Sequence, residues 1–380
     1  AYWRHGSVCE DFSKIQCPVY AIGGWADGYS NAVPRLLAGL QGPRKGLVGP
    51  WAHVFPHDGV PGPTIGFLQE ALRWWDRWLK GEPNGIDTEP RYRVWMQESV
   101  PPQPFYETRP GRWVAEPQWP SPRVAPRTWY LHPRRLRETE GPERQARTRS
   151  PQSVGLLAGE WCGFGVDGEM PPDQRAEDGK SLRFTSAPLK ERLEVLGAPE
   201  VTLRVSVDRP CALLAVRLGE VAPHGAVLRV SYGLLNLAHR DGHADPQPLE
   251  PGKVYTVRVR LNDVAHAFPA GHALRLAVST AYWPLAWPSP EPVTLTVHTR
   301  GSFLQLPERP PDPGDETLPA FARPEHAAAP QAVTLRPKKF RRTLERDLTT
   351  GETVYTLLAD STEFQGASRA RLDAIDLELG

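Results

Sequence analysis

Asp27 and His53 are the residues of this chain whose types and positions best suit catalysis. Each follows a short apolar run: residues 19–22 lead into a Gly-Gly turn before Asp27, and residues 46–48 lead into Gly-Pro-Trp before His53. An acid that orients a histidine, and a histidine that takes a proton from a nucleophile, are two members of a hydrolytic triad. The carboxyl ends of parallel strands meet in one crevice, so this pattern predicts that the two side chains lie together.

The nucleophile that such a pair would serve has no candidate in the sequence. No G-x-S-x-G pentapeptide, the turn that exposes a nucleophilic serine, occurs in the 380 residues. Ser30 follows Asp27 by three positions and lies outside such a turn, so we do not expect it to act as the nucleophile. We therefore expect the triad to lack its serine within this chain.

Composition narrows the class of protein. Hydrophobic residues at 40% and charged residues at 23% are typical of a soluble globular chain, and the net charge of +1 argues against nucleic-acid or membrane-surface binding. The chain begins AYWRHGSVCE, without a methionine or signal peptide, which we interpret as an internal start of a cytoplasmic protein. No CxxC pair occurs, so we expect free thiols, and neither metal nor cofactor, from Cys9, Cys17, Cys162 and Cys211.

Two further clusters of polar residues are interpreted as ordinary loop residues rather than functional sites. A loop predicted between two strands contains two histidines and two aspartates, His239, Asp241, His243 and Asp245. Because a loop does not align positions i and i+4 as a helix does, we interpret this group as solvated rather than metal-binding. His57 and Asp58, just beyond His53, are interpreted as polar loop residues.

The elements that position Asp27 and His53 follow an α/β pattern over residues 1–80. Strand, helix and strand are predicted from residue 19 to residue 48, with the helix over residues 31–40. A second helix is predicted over residues 64–80, capped by Thr64. Its apolar stripe is predicted to pack against a sheet and consists of Leu68, Leu72, Trp75 and Leu79.

Residues 81–90 are turn-rich and are predicted to link two domains. Beyond them the apolar period changes from 3.6 to 2, for example over residues 200–208 and 254–261. Many short alternating strands, broken by Gly and Pro, predict an antiparallel β-sandwich over residues 91–380. This second domain includes a Pro-rich segment at 306–330 and a predicted hairpin at 341–358.

Several motifs together resemble the X-Pro dipeptidyl-peptidase and cocaine-esterase (CocE/NonD) family of serine hydrolases. They include CPVYAIGGWADGYSNA, GLVGPWAH, FLQEALRWWDRWLKG, EPRYRVWMQ and FPAGHALRLAVST, in this order. The resemblance implies the C-terminal part of an α/β-hydrolase domain, followed by a jelly-roll β-sandwich. It also implies that Asp27 is the triad acid, that His53 is the triad base, and that the serine, the oxyanion hole and the cap lie upstream of this chain.

The resulting hypothesis is a serine hydrolase that cleaves an ester or amide, including peptide substrates, through an acyl-enzyme. Adjacency suggests Trp25, Tyr29 and Trp51 as walls of the substrate site. We expect the chain alone to be inactive and to associate with a second copy or with its missing N-terminal half, since a partial sheet exposes an edge. The alternative is a non-catalytic carbohydrate- or protein-binding jelly-roll with an aromatic platform at Tyr282, Trp283 and Trp287.

Overall fold

The computed structural model describes residues 2–328, 332–337, 339–360 and 363–366. This part of the chain is mostly β-sheet. Its strands are β1 (Val19–Gly24), β2 (Arg44–Gly49), β3 (Tyr92–Gln97), β4 (Gly111–Glu116), β5 (Ala125–His132), β6 (Arg135–Arg137), β7 (Gln145–Thr148), β8 (Leu182–Thr185), β9 (Leu193–Gly197), β10 (Glu200–Val207), β11 (Leu213–Val221), β12 (Val227–Asn236), β13 (Tyr255–Arg260), β14 (Val264–Phe268), β15 (Ala273–Ser279), β16 (Leu295–Glu308), β17 (Ala332–Arg336), β18 (Lys339–Arg346), β19 (Thr353–Asp360) and β20 (Glu363–Gly366).

Helices are few and short in the same residues. They are α1 (Tyr2–His5), α2 (Ala32–Gly39), α3 (Phe67–Trp75) and α4 (Arg175–Gly179), with a π-helical turn, Asp76–Lys80, that extends α3. Short 3-10 turns lie at Val8–Glu10, Phe12–Lys14, Pro56–Asp58, Leu237–His239 and Pro313–Thr317. None of the helices in the described ranges has the length and apolar character needed to cross a membrane.

The predicted strand–helix–strand unit is present near the start of the chain. β1 and β2 pair in parallel over six residues, and α2 covers them with Val33 and Leu37 buried. β2 also pairs in parallel with β3. Among the described strands, β1 bonds to β2 alone, so its other edge is open. Three neighbouring parallel strands with one open edge therefore form this end of the sheet.

The sheet continues across the predicted linker. β3 lies after residues 81–90, yet it pairs with β2 on one side and with β4 in antiparallel fashion on the other. It also makes a single bridge to β14, between Gln97 and His266. One hydrophobic cluster joins Val48 of β2 to Leu196 of β9. The two predicted domains thus share a sheet and part of a core, and the proposed division between them stays a prediction.

The strands with alternating sequence form the larger core. β10 pairs in antiparallel fashion with β13 and β16, as its period of two predicts. Its apolar side chains are buried, namely Val201, Leu203, Val205 and Val207. The hairpin predicted near residues 341–358 corresponds to β18 and β19, which pair from Lys339 and Asp360 to Arg346 and Thr353.

The second predicted helix is present, but the face that it buries is not the predicted one. It begins at Phe67 rather than near Thr64, and the side that faces β1 and β2 buries Glu70 and Trp74, whose ring lies 5.2 Å from that of Tyr20. Glu70 is buried, accepts a hydrogen bond from the Tyr20 hydroxyl at 2.9 Å and lies 3.8 Å from the Lys45 ammonium. The stripe predicted to be buried is exposed, at 45% for Leu68, 56% for Leu72, 54% for Trp75 and 75% for Leu79. The prediction was wrong because periodicity shows which residues share a face, not which partner that face meets.

Backbone hydrogen bonds continue to link the two chain segments that follow β1 and β2. The Trp25 amide donates to the Gly49 carbonyl at 2.9 Å, and the Ala26 amide donates to the Trp51 carbonyl at 3.0 Å. A Cβ on Gly24 would lie 1.9 Å from the Trp51 carbonyl oxygen. Glycine at position 24 therefore permits the close approach to the Trp51 backbone, which keeps the segments after β1 and β2 together.

A buried ion network ties the Pro-rich region to β4. Arg309 is fully buried; its guanidinium bonds the Glu116 carboxylate at 2.7 Å and the Asp315 carboxylate through two contacts of 2.8 Å. Glu116 also accepts from Arg123 at 3.0 Å. Because hydrogen bonds satisfy these charges on several sides, the network can hold residues 309–317 against the sheet.

We predict that Gly24→Ala lowers the free energy of unfolding by about 1–3 kcal/mol, because a new Cβ must push the Trp51 backbone away. Urea unfolding measures this change. Gly179→Ala is the matched control, since a Cβ there meets no atom within 4 Å. Equal stability of Gly24→Ala and the unmodified chain would contradict the close-approach account.

We predict that Arg309→Leu costs about 3–5 kcal/mol of folding stability, since the buried carboxylate of Asp315 loses its bidentate partner and that of Glu116 keeps only Arg123. The control is Arg209→Leu, which breaks a solvent-exposed pair with Glu291 and should cost at most about 1 kcal/mol. Both changes are read from urea midpoints. A similar, small effect in the two variants would show that the Arg309 network contributes no more than a surface pair.

Candidate active site

Asp27 and His53 are hydrogen-bonded to each other. His53 Nδ1 lies 2.9 Å from Asp27 Oδ2, and the Tyr29 amide donates to Asp27 Oδ1 at 2.9 Å. The Asp27 side chain is 12% exposed, whereas that of His53 is 45% exposed. With its proton on Nδ1 directed at the carboxylate, His53 presents Nε2 as a hydrogen-bond acceptor. An oriented imidazole with one free nitrogen is chemically suited to remove a proton.

A loop from the β-rich part of the chain covers this pair, and sequence reasoning missed it. It spans residues 159–168, between β7 and α4, and the Gly163 carbonyl accepts from the His53 amide at 2.7 Å. The Phe164 ring lies edge-on to the His53 ring at 5.4 Å, and the Trp161 ring lies 5.3 Å from that of Tyr29. The available signal was the run GEWCGFGVDG, in which glycines and aromatic residues are concentrated.

The three aromatic residues predicted to wall the site occupy different environments. Tyr29 is 56% exposed and its ring lies 5.6 Å from that of His53. Trp25 is partly buried, and its indole N–H donates to the Trp95 carbonyl at 2.8 Å. Trp51 is only 1% exposed and donates to the Pro63 carbonyl at 2.7 Å. Burial favours a packing role for Trp51 over the predicted substrate contact.

No described serine hydroxyl is hydrogen-bonded to His53. Ser30 is buried, and its amide donates to the Asp27 carbonyl at 3.3 Å. Cys162 is closer to the pair, with Sγ 3.9 Å from Asp27 Oδ1. Burial, together with the charge of Asp27, raises the pKa of the Cys162 thiol and keeps it protonated. A protonated thiol is a poor nucleophile, so this environment does not favour attack by Cys162.

A cleft with a volume of about 140 Å³ lies beside Asp27, between the parallel strands and the β-rich part. Its walls combine residues from both parts, among them Trp25, Asp27, Arg109, Trp161, Arg229 and His266. The cleft beside Asp27 is therefore formed jointly by the parallel-strand part and the β-rich part of the chain.

The other groups singled out from the sequence lie elsewhere. His239 and His243 approach to 3.2 Å between their Nδ1 atoms, but within the described residues neither Asp241 nor Asp245 completes a three-ligand cluster with them. Of the three residues of the predicted aromatic platform, Tyr282 is buried, Trp283 packs edge-on against Tyr355 at 5.1 Å, and Trp287 is 87% exposed. The three rings do not form one exposed surface.

Curated relatives are hydrolases. A putative serine esterase of Mycobacterium bovis is 28% identical over 74% of this chain and 46% of its own length. The cocaine esterase of a Rhodococcus species is 22% identical over 74% of this chain and 52% of its own length. The chain thus spans about half the length of these relatives.

Solved structures share the fold. A CocE/NonD family hydrolase from Staphylococcus aureus superposes with a TM-score of 0.62 at 15% identity, over 81% of this chain and 56% of that one. An α-amino acid ester hydrolase gives a TM-score of 0.62 at 19% identity, over 81% of this chain and 58% of that one. At these identities the likeness concerns the fold alone.

Two family models match the chain in succession. The model of the X-Pro dipeptidyl-peptidase S15 family matches residues 1–55, which contain Asp27 and His53. The model of the X-Pro dipeptidyl-peptidase C-terminal non-catalytic domain matches residues 84–342, more than half of the chain. The chain therefore belongs to the X-Pro dipeptidyl-peptidase family of serine esterase and dipeptidyl-peptidase type hydrolases.

Proposed function

We propose that this chain supplies the acid and the base of a serine hydrolase that cleaves an ester or amide bond through an acyl-enzyme. The observation that carries the proposal is the 2.9 Å hydrogen bond between Asp27 and His53, with the imidazole half exposed. Asp27 holds the imidazole and stabilises the imidazolium, and His53 takes the serine proton and returns it to the leaving group. The mechanism uses neither a metal nor a cofactor.

We further propose that the nucleophilic serine and its oxyanion hole come from a segment outside these 380 residues. The sequence has no G-x-S-x-G elbow, and the relatives that it matches are about twice as long. In this proposal residues 1–80 form the C-terminal part of an α/β-hydrolase domain, and residues 91–380 form a jelly-roll sandwich. The 380-residue chain alone is then inactive.

The surface left open at this end of the molecule supports the same proposal. An edge strand offers unpaired backbone groups that another strand can join, and the described part of the chain leaves one edge of β1 in that state. On α3 and the π-helical turn that extends it, the exposed stripe of Leu68, Leu72, Trp75 and Leu79 offers an apolar face. The occupant that we propose for both is the segment that carries the serine.

The exposed aromatic side chains near His53 are proposed to contact the substrate. Tyr29, Trp161 and Phe164 are each more than half exposed and are linked by ring contacts around the imidazole. Such rings offer apolar area beside the reacting bond. The relatives act, by their names, on esters and X-Pro peptides, and we propose a substrate from these classes.

We predict that a fluorophosphonate leaves no adduct on the isolated chain, because no serine is held at His53 Nε2. When the chain is produced together with the segment encoded upstream of it, the fluorophosphonate should label a serine in that added segment. Intact mass and peptide mapping would show this label. His53→Ala should abolish this labelling, and Asp27→Asn should slow turnover by about 10⁴-fold.

His224→Ala, at an exposed histidine outside the site, is the control and should label normally. A stoichiometric adduct on the isolated chain that His53→Ala removes would overturn the proposal of an external serine. If His53→Ala left the labelling of the longer protein unchanged, the proposed role of His53 as the base would be overturned.

We predict that the isolated chain self-associates through α3 and the β1 edge, which light scattering measures as a mass above 42.3 kDa. The double variant Leu72→Glu, Trp75→Glu should shift the mass toward the monomer, since charges oppose apolar contact. Leu348→Glu, at an 89% exposed leucine elsewhere, is the matched control and should change nothing. A monomeric unmodified chain would contradict the prediction.

A further inference from the structure

A second cluster of ligand-type side chains lies a short distance from the candidate active site. It consists of His57, Asp58 and His326, whose nitrogen and oxygen atoms lie within 4.8 Å of one another. His57 and Asp58 belong to the 3-10 turn Pro56–Asp58, just beyond His53. His326 comes from residues 318–328, a stretch without helix or strand that we call the crossing segment.

We propose that His57, Asp58 and His326 form a binding site for a divalent transition metal of the Zn²⁺ class. Two imidazoles and a carboxylate are a donor set that suits Zn²⁺, Co²⁺, Ni²⁺ or Cu²⁺, whereas Mg²⁺ and Ca²⁺ prefer oxygen ligands alone. This proposal differs from the sequence-based interpretation of His57 and Asp58 as polar loop residues. The site is separate from Asp27 and His53 and does not depend on the proposed hydrolytic function.

The three side chains are close enough to reach one ion, since one ligand atom of each lies within 4.8 Å of the others. Asp58 approaches the two histidines through different oxygens: Oδ2 lies 3.4 Å from His57 Nε2, and Oδ1 lies 3.3 Å from His326 Nδ1. Bonds of about 2.0–2.1 Å in a tetrahedron place neighbouring ligand atoms about 3.3–3.4 Å apart. The two imidazoles, with ring centroids 5.5 Å apart, need only a small movement of the exposed His326 side chain to complete the set.

One ligand is already held in place. The His57 ring packs against the Phe55 ring at 5.8 Å and is parallel to the Phe67 ring at 5.7 Å, and its side chain is 15% exposed. An imidazole fixed by its neighbours loses little conformational freedom on binding. Its Nδ1 atom is buried without a hydrogen-bond partner, so the acceptor that usually strengthens a ligating histidine is absent. We therefore expect weaker binding than at a closed structural zinc site.

The remaining ligand lies on a segment that is docked beside the turn. The Gly66 amide donates to the Ala322 carbonyl at 2.7 Å, and the Gln69 amide group donates to the Arg323 carbonyl at 3.0 Å. The Arg93 guanidinium lies 4.0 Å from the centroid of the Phe321 ring. These contacts bring His326 to Asp58, which is 61% exposed and leaves room for water as further ligands. A bound ion would link the turn after His53 to the crossing segment.

The test is isothermal titration of the chelator-treated, untagged 380-residue chain with ZnSO₄, with MgCl₂ as the comparison salt. We expect Zn²⁺ binding, no Mg²⁺ binding, and a loss of one Zn²⁺ equivalent, or at least a tenfold weaker affinity for it, in His326→Ala and in Asp58→Asn. Both positions are exposed, so the variants should fold, which circular dichroism checks. His224→Ala, at an exposed histidine outside the cluster, should bind as the unmodified chain does.

Other groups could also take up Zn²⁺, so the difference between variants decides the outcome. The pair His239 and His243 and the group of Asp27, His53 and Cys162 keep their ligands in the His326→Ala chain. Unchanged stoichiometry and affinity in both His326→Ala and Asp58→Asn would overturn the proposed site, whatever the fluorophosphonate experiments show. Loss of the same equivalent in His224→Ala would overturn it as well.

Discussion

The parallel pairing of β1 with β2 is the constraint on which the candidate active site depends. The two strands are in register over their full length, so their carboxyl ends reach the same edge of the sheet. Hydrogen bonds from Trp25 and Ala26 extend this pairing past the strands, and Gly24 gives the backbone the room to do so. The Asp27–His53 hydrogen bond follows from this backbone arrangement, since each side chain lies within a few residues of a strand end.

The β-rich part of the chain takes part in forming this site. Its family model is described as non-catalytic, yet its loop at residues 159–168 bonds the His53 amide and places Phe164 against the imidazole. The sheet that runs from β2 through β3 to β14 explains how a loop so distant in sequence reaches the pair. A substrate bound beside His53 would contact both the parallel-strand part and the β-rich part. Substitutions in the β-rich part can therefore alter substrate specificity without changing Asp27 or His53.

A buried charged group and the apolar contact of Trp74 with Tyr20 together hold α3 to the parallel strands. Glu70 accepts from the Tyr20 hydroxyl and lies close to Lys45, and burial of these charges is tolerated because they are paired. The apolar stripe on the opposite side of α3 is left for another surface. The same end of the molecule has the open β1 edge, so the features that an additional segment would need lie together.

The sequence by itself determined the elements with strong local signals: the α/β unit that ends in Asp27 and His53, and the alternating strands such as β10, because side-chain period and Gly-Pro breaks are local properties. It also indicated the family, since several motifs occurred in one order. Only the tertiary structure decided which face of α3 is buried, that Trp51 is a core residue, that residues 159–168 reach His53, and that His326 reaches Asp58. These outcomes depend on contacts between residues far apart in the chain, and no short window of sequence contains both partners of such a contact.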